Sequence, residues 1–152
     1  MVVFRICNSL YSNDLSGLGA KMYGGRWNSK GFPMLYTSST RALAALEVLV
    51  HMPVNNVQQM DFSIVSISLP ENSLEEVKYN AIKKEIEANG LNSSFKSIGD
   101  DWIKRNSSLL LKVPSVVINE EFNFLVNPAH KDFTKVKILS RQPFSFDERL
   151  LR

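Results

Sequence analysis

The sequence predicts a single α+β domain of short strands and a few helices, with more strands than helices. Hydrophobic residues make up 44% and charged residues 22% of the 152 residues, which is typical of a chain that buries one core. Short runs rich in β-branched residues outnumber the segments with helical periodicity. No repeat, low-complexity tract or flexible linker divides the chain, so we expect one domain over residues 1–152.

The N-terminal part is predicted to contain two strands and one helix around a long loop. Residues 2–6 are rich in β-branched side chains and predict the first strand. A Ser-, Gly- and Asn-containing loop follows over residues 8–25, and loops of that length are often functional. Residues 33–37 predict a second strand. The hydroxyl residues 38–40 then offer an N-cap to a helix that ends near residue 51.

The C-terminal part is predicted to add strands and two helices. Residues 62–69 alternate β-formers with serines and predict a strand. Residues 74–89 have the spacing of an exposed amphipathic helix that Gly90 ends. A short helix is expected over residues 100–105, with Asp100 as its cap. Further runs of β-formers predict strands at residues 109–118, 121–126, 135–139 and 144–146.

Composition and charge argue against several classes of protein. The net charge is only +3 and the basic residues are scattered, which is weak evidence for nucleic-acid binding. Cys7 is the only cysteine, so no internal disulfide is expected. The apolar run at residues 42–50 is too short to span a bilayer, and the first residues lack the pattern of an export signal. We therefore expect a cytoplasmic protein that does not insert into membranes.

The sequence lacks the motifs of metal, phosphate-loop and serine-nucleophile chemistry. Cys7, His51 and His130 occur in none of the paired spacings of metal ligands, so no metal site is expected. Both histidines are interpreted as structural, with His51 at the end of a helix. The glycine-rich segments lack the dinucleotide and phosphate-loop fingerprints, and no serine lies in a G-x-S-x-G elbow.

Glu47 is the most informative single residue. Its helix is apolar on every face, so the sequence predicts that the helix and the carboxylate are buried. A buried carboxylate has two interpretations. It is either half of a structural ion pair, or it faces a cavity where it can stabilise positive charge or orient a hydroxyl.

Three other residues carry chemistry that fits a ligand pocket. Arg26 follows two glycines and offers a guanidinium fork for phosphate, although a surface arginine in a glycine turn is the alternative. Tyr36 lies in the strand that precedes the Glu47 helix, so the two side chains could line one pocket unless Tyr36 belongs to the core. Ser115 either lies at a bulge or donates a hydrogen bond at a pocket wall.

These residues lie in a series of sequence blocks that resembles the RES domain, a family of bacterial toxins named for an arginine, a glutamate and a serine. The blocks occur in the family's order and cover essentially the whole chain. The exception is the charged stretch at residues 72–97, which matches no motif. The blocks are residues 24–28 (GGRWN) with Gly31, 36–38 (YTS), 44–47 (AALE), 99–102 (GDDW), 113–115 (VPS), Asn123, 127–128 (NP) with His130, and 146–150 (FDERL).

The resemblance implies both a fold and an activity. The fold would be compact, with short and mostly antiparallel strands in two small sheets, similar to diphtheria-toxin-like ADP-ribosyltransferases that bind NAD in a cleft between the sheets. The activity would be a toxin of a toxin–antitoxin system that arrests growth. It would degrade NAD by cleaving the nicotinamide–ribose bond, through hydrolysis or phosphorolysis. NAD is then the substrate, and no further cofactor is expected.

The resemblance also implies roles for six residues. Glu47 would stabilise the oxocarbenium-like charge that develops on the ribose. Arg26, helped by Arg5, would hold the pyrophosphate, and Tyr36 would pack against the nicotinamide or its ribose. In this assignment the catalytic residues are Arg26, Tyr36 and Glu47, and the NAD-binding residues are Arg5, Ser115 and Asn123.

The expected partner is an Xre-type helix-turn-helix antitoxin, with a homodimer of this chain as a further expectation within the complex. Three alternative functions stay open. Some family members transfer ADP-ribose to a cellular protein, and the same residues would serve that reaction. A toxin that acts on RNA would rely on the basic residues between 131 and 141. A non-catalytic binding module is the third alternative.

Overall fold

A computed structural model shows one seven-stranded sheet with helices packed against it. The structure describes residues 1–151, and it describes the side chains of all of these except residues 85, 86, 89 and 91–94. The strands are β1 (Val2–Asn8), β2 (Leu35–Ser38), β3 (Phe62–Ser68), β4 (Leu74–Glu76), β5 (Leu110–Pro114), β6 (Phe122–Val126) and β7 (Lys137–Phe144). The helices are α1 (Leu18–Tyr23), α2 (Arg41–His51), α3 (Val54–Gln59), α4 (Tyr79–Asn89) and α5 (Leu91–Arg105), with 3₁₀ turns at Ser9–Tyr11, Lys131–Lys135 and Glu148–Leu151.

The strand order is β4-β5-β6-β2-β1-β3-β7, and every pairing except β4 with β5 is antiparallel. This confirms the predicted α+β class and the mostly antiparallel strands. The two small sheets that the resemblance implied are two parts of one sheet. They meet only where Phe4 of β1 pairs with Ser38 of β2. Beyond that pair the two central strands diverge, while β1 pairs along its whole length with β3, and β2 with β6.

The apolar core lies on both faces of this sheet. Val3, Val65 and Leu110 belong to a cluster in which the two parts of the sheet meet. A second cluster contains Trp27 and Trp102, which are both buried, so that α5 packs close to the loop between α1 and β2. No helix within the described residues is long and apolar enough to cross a bilayer.

Several element predictions need correction. Residues 74–89 were expected to form one helix, but residues 74–76 pair with β5 and only the later part is helical, because the tertiary pairing overrides the local periodicity. Asp100 does not cap a helix and lies inside α5. Instead of two strands at residues 135–139 and 144–146, the structure has one edge strand, β7, at Lys137–Phe144. It tolerates Pro143 because one side of an edge strand needs no ladder bonds.

The prediction that α2 is wholly buried is also wrong. Thr40 caps the helix through a bond from the Leu43 amide to its hydroxyl, as the hydroxyl run predicted. Only Leu43 and Ala44 are fully buried, and Val50 is exposed. The helix lies over β1 and β2 on one side only, so its apolar composition does not mean that every face is covered.

Candidate active site

A cavity of about 550 Å³ opens where β1 and β2 diverge. Its volume is in the range of pockets that hold small molecules and cofactors. The walls come from β1, α1 and the loop after it, β2, α2, and the start of β6. Five of the six predicted site residues line this one cavity: Arg5, Arg26, Tyr36, Glu47 and Asn123. The sixth, Ser115, lies next to the lining residues and contacts Glu47.

The Glu47 carboxylate is held by hydrogen bonds from two neighbours. Its Oε1 accepts a bond of 3.1 Å from the Ser115 hydroxyl and one of 2.6 Å from the Asn123 amide. Its Oε2 accepts neither bond and lies 3.7 Å from Nδ1 of His51. With 21% of the side chain exposed, the carboxylate is partly open to the cavity. One oxygen is therefore anchored and the other is free to meet a ligand.

The two groups that hold Glu47 are themselves fixed. The Ser115 hydroxyl accepts bonds from the amides of Val117 and Ile118, at 3.0 and 3.2 Å. The Asn123 side-chain oxygen accepts a bond of 2.7 Å from the Ser38 hydroxyl, which orients its amide nitrogen toward Glu47. Ser115 and Asn123 were expected to bond the substrate. That role stays a prediction, and within the protein their hydrogen bonds orient the Glu47 carboxylate.

The alternative in which Glu47 forms an ion pair with a strong cation has no support here. In the described part of the chain, no lysine or arginine nitrogen lies within 4 Å of the carboxylate. The hydrogen bonds to Glu47 come from two neutral groups, Ser115 directly after β5 and Asn123 in β6.

Arg26 lies in a loop that Asn28 holds from within. The fully buried Asn28 amide donates to the carbonyl oxygens of Ala20 and Phe32, at 2.8 and 3.0 Å. Its side-chain oxygen accepts a bond of 2.7 Å from the Tyr36 hydroxyl. A Cβ atom at Gly25 would lie 2.5 Å from that hydroxyl, so glycine is required there for close packing within the protein.

The Tyr36 hydroxyl is hydrogen-bonded to this loop at two positions. Besides donating to Asn28, it accepts a bond of 3.0 Å from the Trp27 amide. Burial raises the pKa of the phenol, so the group stays protonated at neutral pH. Tyr36 thus forms part of the cavity wall while its hydroxyl positions the loop that carries Arg26, the arginine loop (residues 24–34).

One N–H group of the Arg26 guanidinium makes no hydrogen bond to the described residues. Its Nε is buried and has no hydrogen-bond partner among the described residues, while the guanidinium lies 5.7 Å from the centre of the Phe95 ring. A buried donor without an acceptor costs roughly 1–3 kcal/mol. Arg26 also lines the cavity, where its positively charged guanidinium suits an anionic ligand.

Helix α5 fastens the same loop from the other side. Asp100 accepts a hydrogen bond of 2.8 Å from the Ser29 amide. A Cβ at Gly99 would lie 1.7 Å from the Trp27 carbonyl oxygen, so the helix and the loop touch through backbone. Sequence reasoning missed Asn28 and Asp100 as site residues. Both lie in sequence blocks that resemble the RES domain, residues 24–28 and 99–102, but neither residue type suggested a role in holding a loop.

The charges on the cavity wall are mixed. Arg5 donates to the Asp14 carbonyl oxygen, which fixes its guanidinium at the β1 side of the cavity. Cys7 lines the same wall, and burial raises the pKa of its thiol, so it is not an activated thiolate. Two arginines and one carboxylate suit a ligand that carries anionic and cationic groups. Among the described residues, no three His, Cys, Asp or Glu side chains cluster closely enough to hold a metal ion.

Comparison with known proteins agrees with the sequence blocks. The model of the RES domain family matches residues 2–147. The chain is 35% identical to "Toxin Res" of Photorhabdus laumondii, over all of this chain and 98% of that protein. It is also 35% identical to the "Prs ADP-ribosylating toxin" of a Sphingobium strain, over 93% of this chain and 89% of that one. The toxin–antitoxin complex MbcT–MbcA of Mycobacterium tuberculosis contains a chain with the same fold, with a TM-score of 0.77, 14% identity, and coverage of 95% of this chain and 84% of that chain.

Proposed function

Since this chain belongs to the RES domain family, we propose that it is the toxin of a toxin–antitoxin pair and that it cleaves the nicotinamide–ribose bond of NAD. Relatives named as toxins match it over nearly their whole length. NAD would be the substrate, with no further cofactor. Loss of cellular NAD would then arrest growth.

The observation that carries this proposal is the geometry of Glu47. Cleavage of the nicotinamide–ribose bond develops positive charge on the ribose carbon, and a fixed carboxylate stabilises that charge. Ser115 and Asn123 hold one oxygen of Glu47 and leave Oε2 uncommitted at the cavity. Because the carboxylate is held before the substrate enters, little reorganisation is needed as the charge forms.

The other charged groups fit the rest of the NAD molecule. Arg26, in the loop after α1, and Arg5, on β1, line the same cavity. Both suit the two negative charges of a pyrophosphate. The wall formed by Tyr36 offers an aromatic surface for the nicotinamide or its ribose. Nicotinamide leaves as a neutral base, so the leaving group needs no proton from an acid.

The first experiment measures nicotinamide release by the purified chain. We expect release from NAD in buffer alone or with added phosphate, giving free ADP-ribose or its 1-phosphate. In cells, expression without the antitoxin should lower NAD before growth slows. Growth arrest at constant NAD would refute depletion as the cause of toxicity.

Transfer of ADP-ribose to a protein is a second candidate function. It is favoured by the 35% identity to a relative that is named as an ADP-ribosylating toxin. The same carboxylate would stabilise the same charge, and only the acceptor would differ. Incubation with labelled NAD and cell extract separates the two reactions, because transfer leaves the label on a protein band and hydrolysis leaves it on a small molecule.

We further propose that an antitoxin, expected to be of the Xre type, covers the mouth of the cavity. Tyr11 and Tyr23 both line the cavity and are 58% and 75% exposed, and Leu10 and Met22 are exposed beside them. Exposed aromatic side chains around a cavity suit a protein interface. The neighbouring gene product should form an inactive complex with the chain, and Tyr23→Ala should weaken that complex. A stable complex with full activity would refute inhibition by covering the cavity.

A further inference from the structure

His51 lies one helical turn after Glu47 and lines the same cavity. Its Nδ1 lies 2.7 Å from the backbone carbonyl oxygen of Glu47. A carbonyl oxygen can only accept a hydrogen bond, so Nδ1 must carry the hydrogen. In the neutral imidazole the other nitrogen, Nε2, is then an acceptor with a free lone pair.

Nε2 is not used by the fold. It has no hydrogen-bond partner in the described part of the chain, and 48% of the His51 side chain is exposed. The hydrogen bond at Nδ1 fixes the tautomer, and Nε2 is left free to accept a proton. This is the arrangement of a positioned general base. Sequence reasoning interpreted His51 only as a structural residue at a helix end.

We propose that His51 is a catalytic residue, with Nε2 as the general base for an acceptor that carries an O–H group. This inference rests on the proposed cleavage of NAD. As water attacks the ribose carbon, its oxygen forms the new bond and one of its protons passes to Nε2. The electron pair of the broken carbon–nitrogen bond leaves with nicotinamide, and the imidazolium later releases its proton to solvent.

The surroundings of His51 suit this role. The Oε2 atom of Glu47, 3.7 Å from Nδ1, would stabilise the transient imidazolium. Glu47 is the only carboxylate within 4 Å of the imidazole among the described residues, and α3, the next helix, carries no ionisable residue. The other ionisable groups on the cavity wall are Arg5 and Cys7 on β1, Tyr11 in the turn after it, Tyr23 at the end of α1, Arg26 in the following loop and Tyr36 on β2.

The base determines which acceptor the site activates. Water and a protein hydroxyl must lose a proton on attack, whereas a phosphate dianion already has an anionic oxygen and needs no base. Loss of His51 should therefore slow hydrolysis far more than it slows phosphorolysis. Free ADP-ribose as the product identifies water as the acceptor, and label retained on protein identifies a protein hydroxyl.

The test compares the wild-type protein with His51→Asn. An asparagine amide can still donate to the Glu47 carbonyl oxygen but cannot accept a proton. We expect nicotinamide release into water to fall by about a hundredfold or more, with NAD affinity little changed and a much smaller loss when phosphate is added. Val50→Asn places the same side chain on an exposed neighbour and is the control.

Four results would overturn the assignment. Equal hydrolysis by the wild type and His51→Asn would remove His51 from the chemistry. Equal loss of hydrolysis and phosphorolysis in a folded variant would make it a positioning residue. If His51→Asn does not fold, His51→Gln, which also lacks a base, takes its place, and an unchanged ratio of hydrolysis to phosphorolysis in that variant refutes the base. If the wild-type protein releases no nicotinamide, either into water or with added phosphate, the proposed function itself is refuted, and this inference with it.

Discussion

Glu47→Gln separates the catalytic interpretation of the carboxylate from a structural one. The glutamine oxygen can take the position of Oε1 and keep both hydrogen bonds, from Ser115 and Asn123. Its amide then takes the position of Oε2, so size and packing are kept while the charge is lost. We expect the turnover number to fall by roughly 10²–10³-fold, which is the effect of removing one electrostatic stabiliser. NAD affinity should change much less, because the ground-state ribose carries little of the charge that Glu47 stabilises.

The stability of this variant should change little. Two charge-assisted hydrogen bonds become neutral, which weakens each by about 1 kcal/mol. The opposing effect is that a carboxylate no longer has to be partly desolvated. We expect a net change below about 1 kcal/mol, or a shift in Tm below about 4 °C for a domain of this size.

The assay is nicotinamide release at saturating NAD, per folded molecule, with Tm measured on the same preparation. Glu121→Gln is the matched control, because Glu121 accepts a bond of 3.3 Å from Ser39 and lies outside the cavity lining. It should leave turnover unchanged. Normal turnover in a destabilised Glu47→Gln protein would refute the catalytic role and favour a structural one.

Substitutions at Arg26, Gly25 and Asn123 test the rest of the site. Arg26→Ala should raise the Kd for NAD by at least about tenfold, since a charge-assisted contact is lost; Arg26→Lys should recover part of it, and unchanged affinity in calorimetry would remove Arg26 from the site. Gly25→Ala should lower the free energy of unfolding by roughly 1–3 kcal/mol through overpacking, because its Cβ would meet the Tyr36 hydroxyl. Gly19→Ala, whose Cβ meets nothing within 4 Å, is the control in the same thermal melts and should be neutral or stabilising. Asn123→Ala should lower kcat more than it raises KM, because the Glu47 carboxylate loses a bond; a change in KM alone would show that Asn123 binds the substrate directly.

The sequence predicted the class of fold and most strands because their signals are local. β-branched runs mark β1 and β3, and the hydroxyl at Thr40 marks the start of α2. It could not predict β4, whose three residues become a strand only through pairing with β5. The joining of the two parts of the sheet also depends on one tertiary pair, between Phe4 and Ser38.

At the site, the sequence identified residues whose side chains carry distinctive chemistry, such as Arg26 and Glu47. It could not assign the supporting bonds, because a contact such as the one between Glu47 and Ser115 joins positions 68 residues apart. Asp100 is a clear case. A local rule predicts a helix cap, whereas its carboxylate bonds the Ser29 amide, 71 positions earlier.

The bonds that hold the arginine loop also affect the entropy of binding. Asn28, within the loop, and Tyr36, from β2, hold the loop by hydrogen bonds, and Asp100 holds it from α5. Fixing the backbone of one residue costs about 1–2 kcal/mol of conformational entropy. Because folding already meets this cost, substrate binding does not have to order the loop, and more of the contact energy of Arg26 contributes to affinity. A variant that loosens the loop, such as Asn28→Ala, would then bind NAD with a more unfavourable entropy even though Arg26 itself is unchanged.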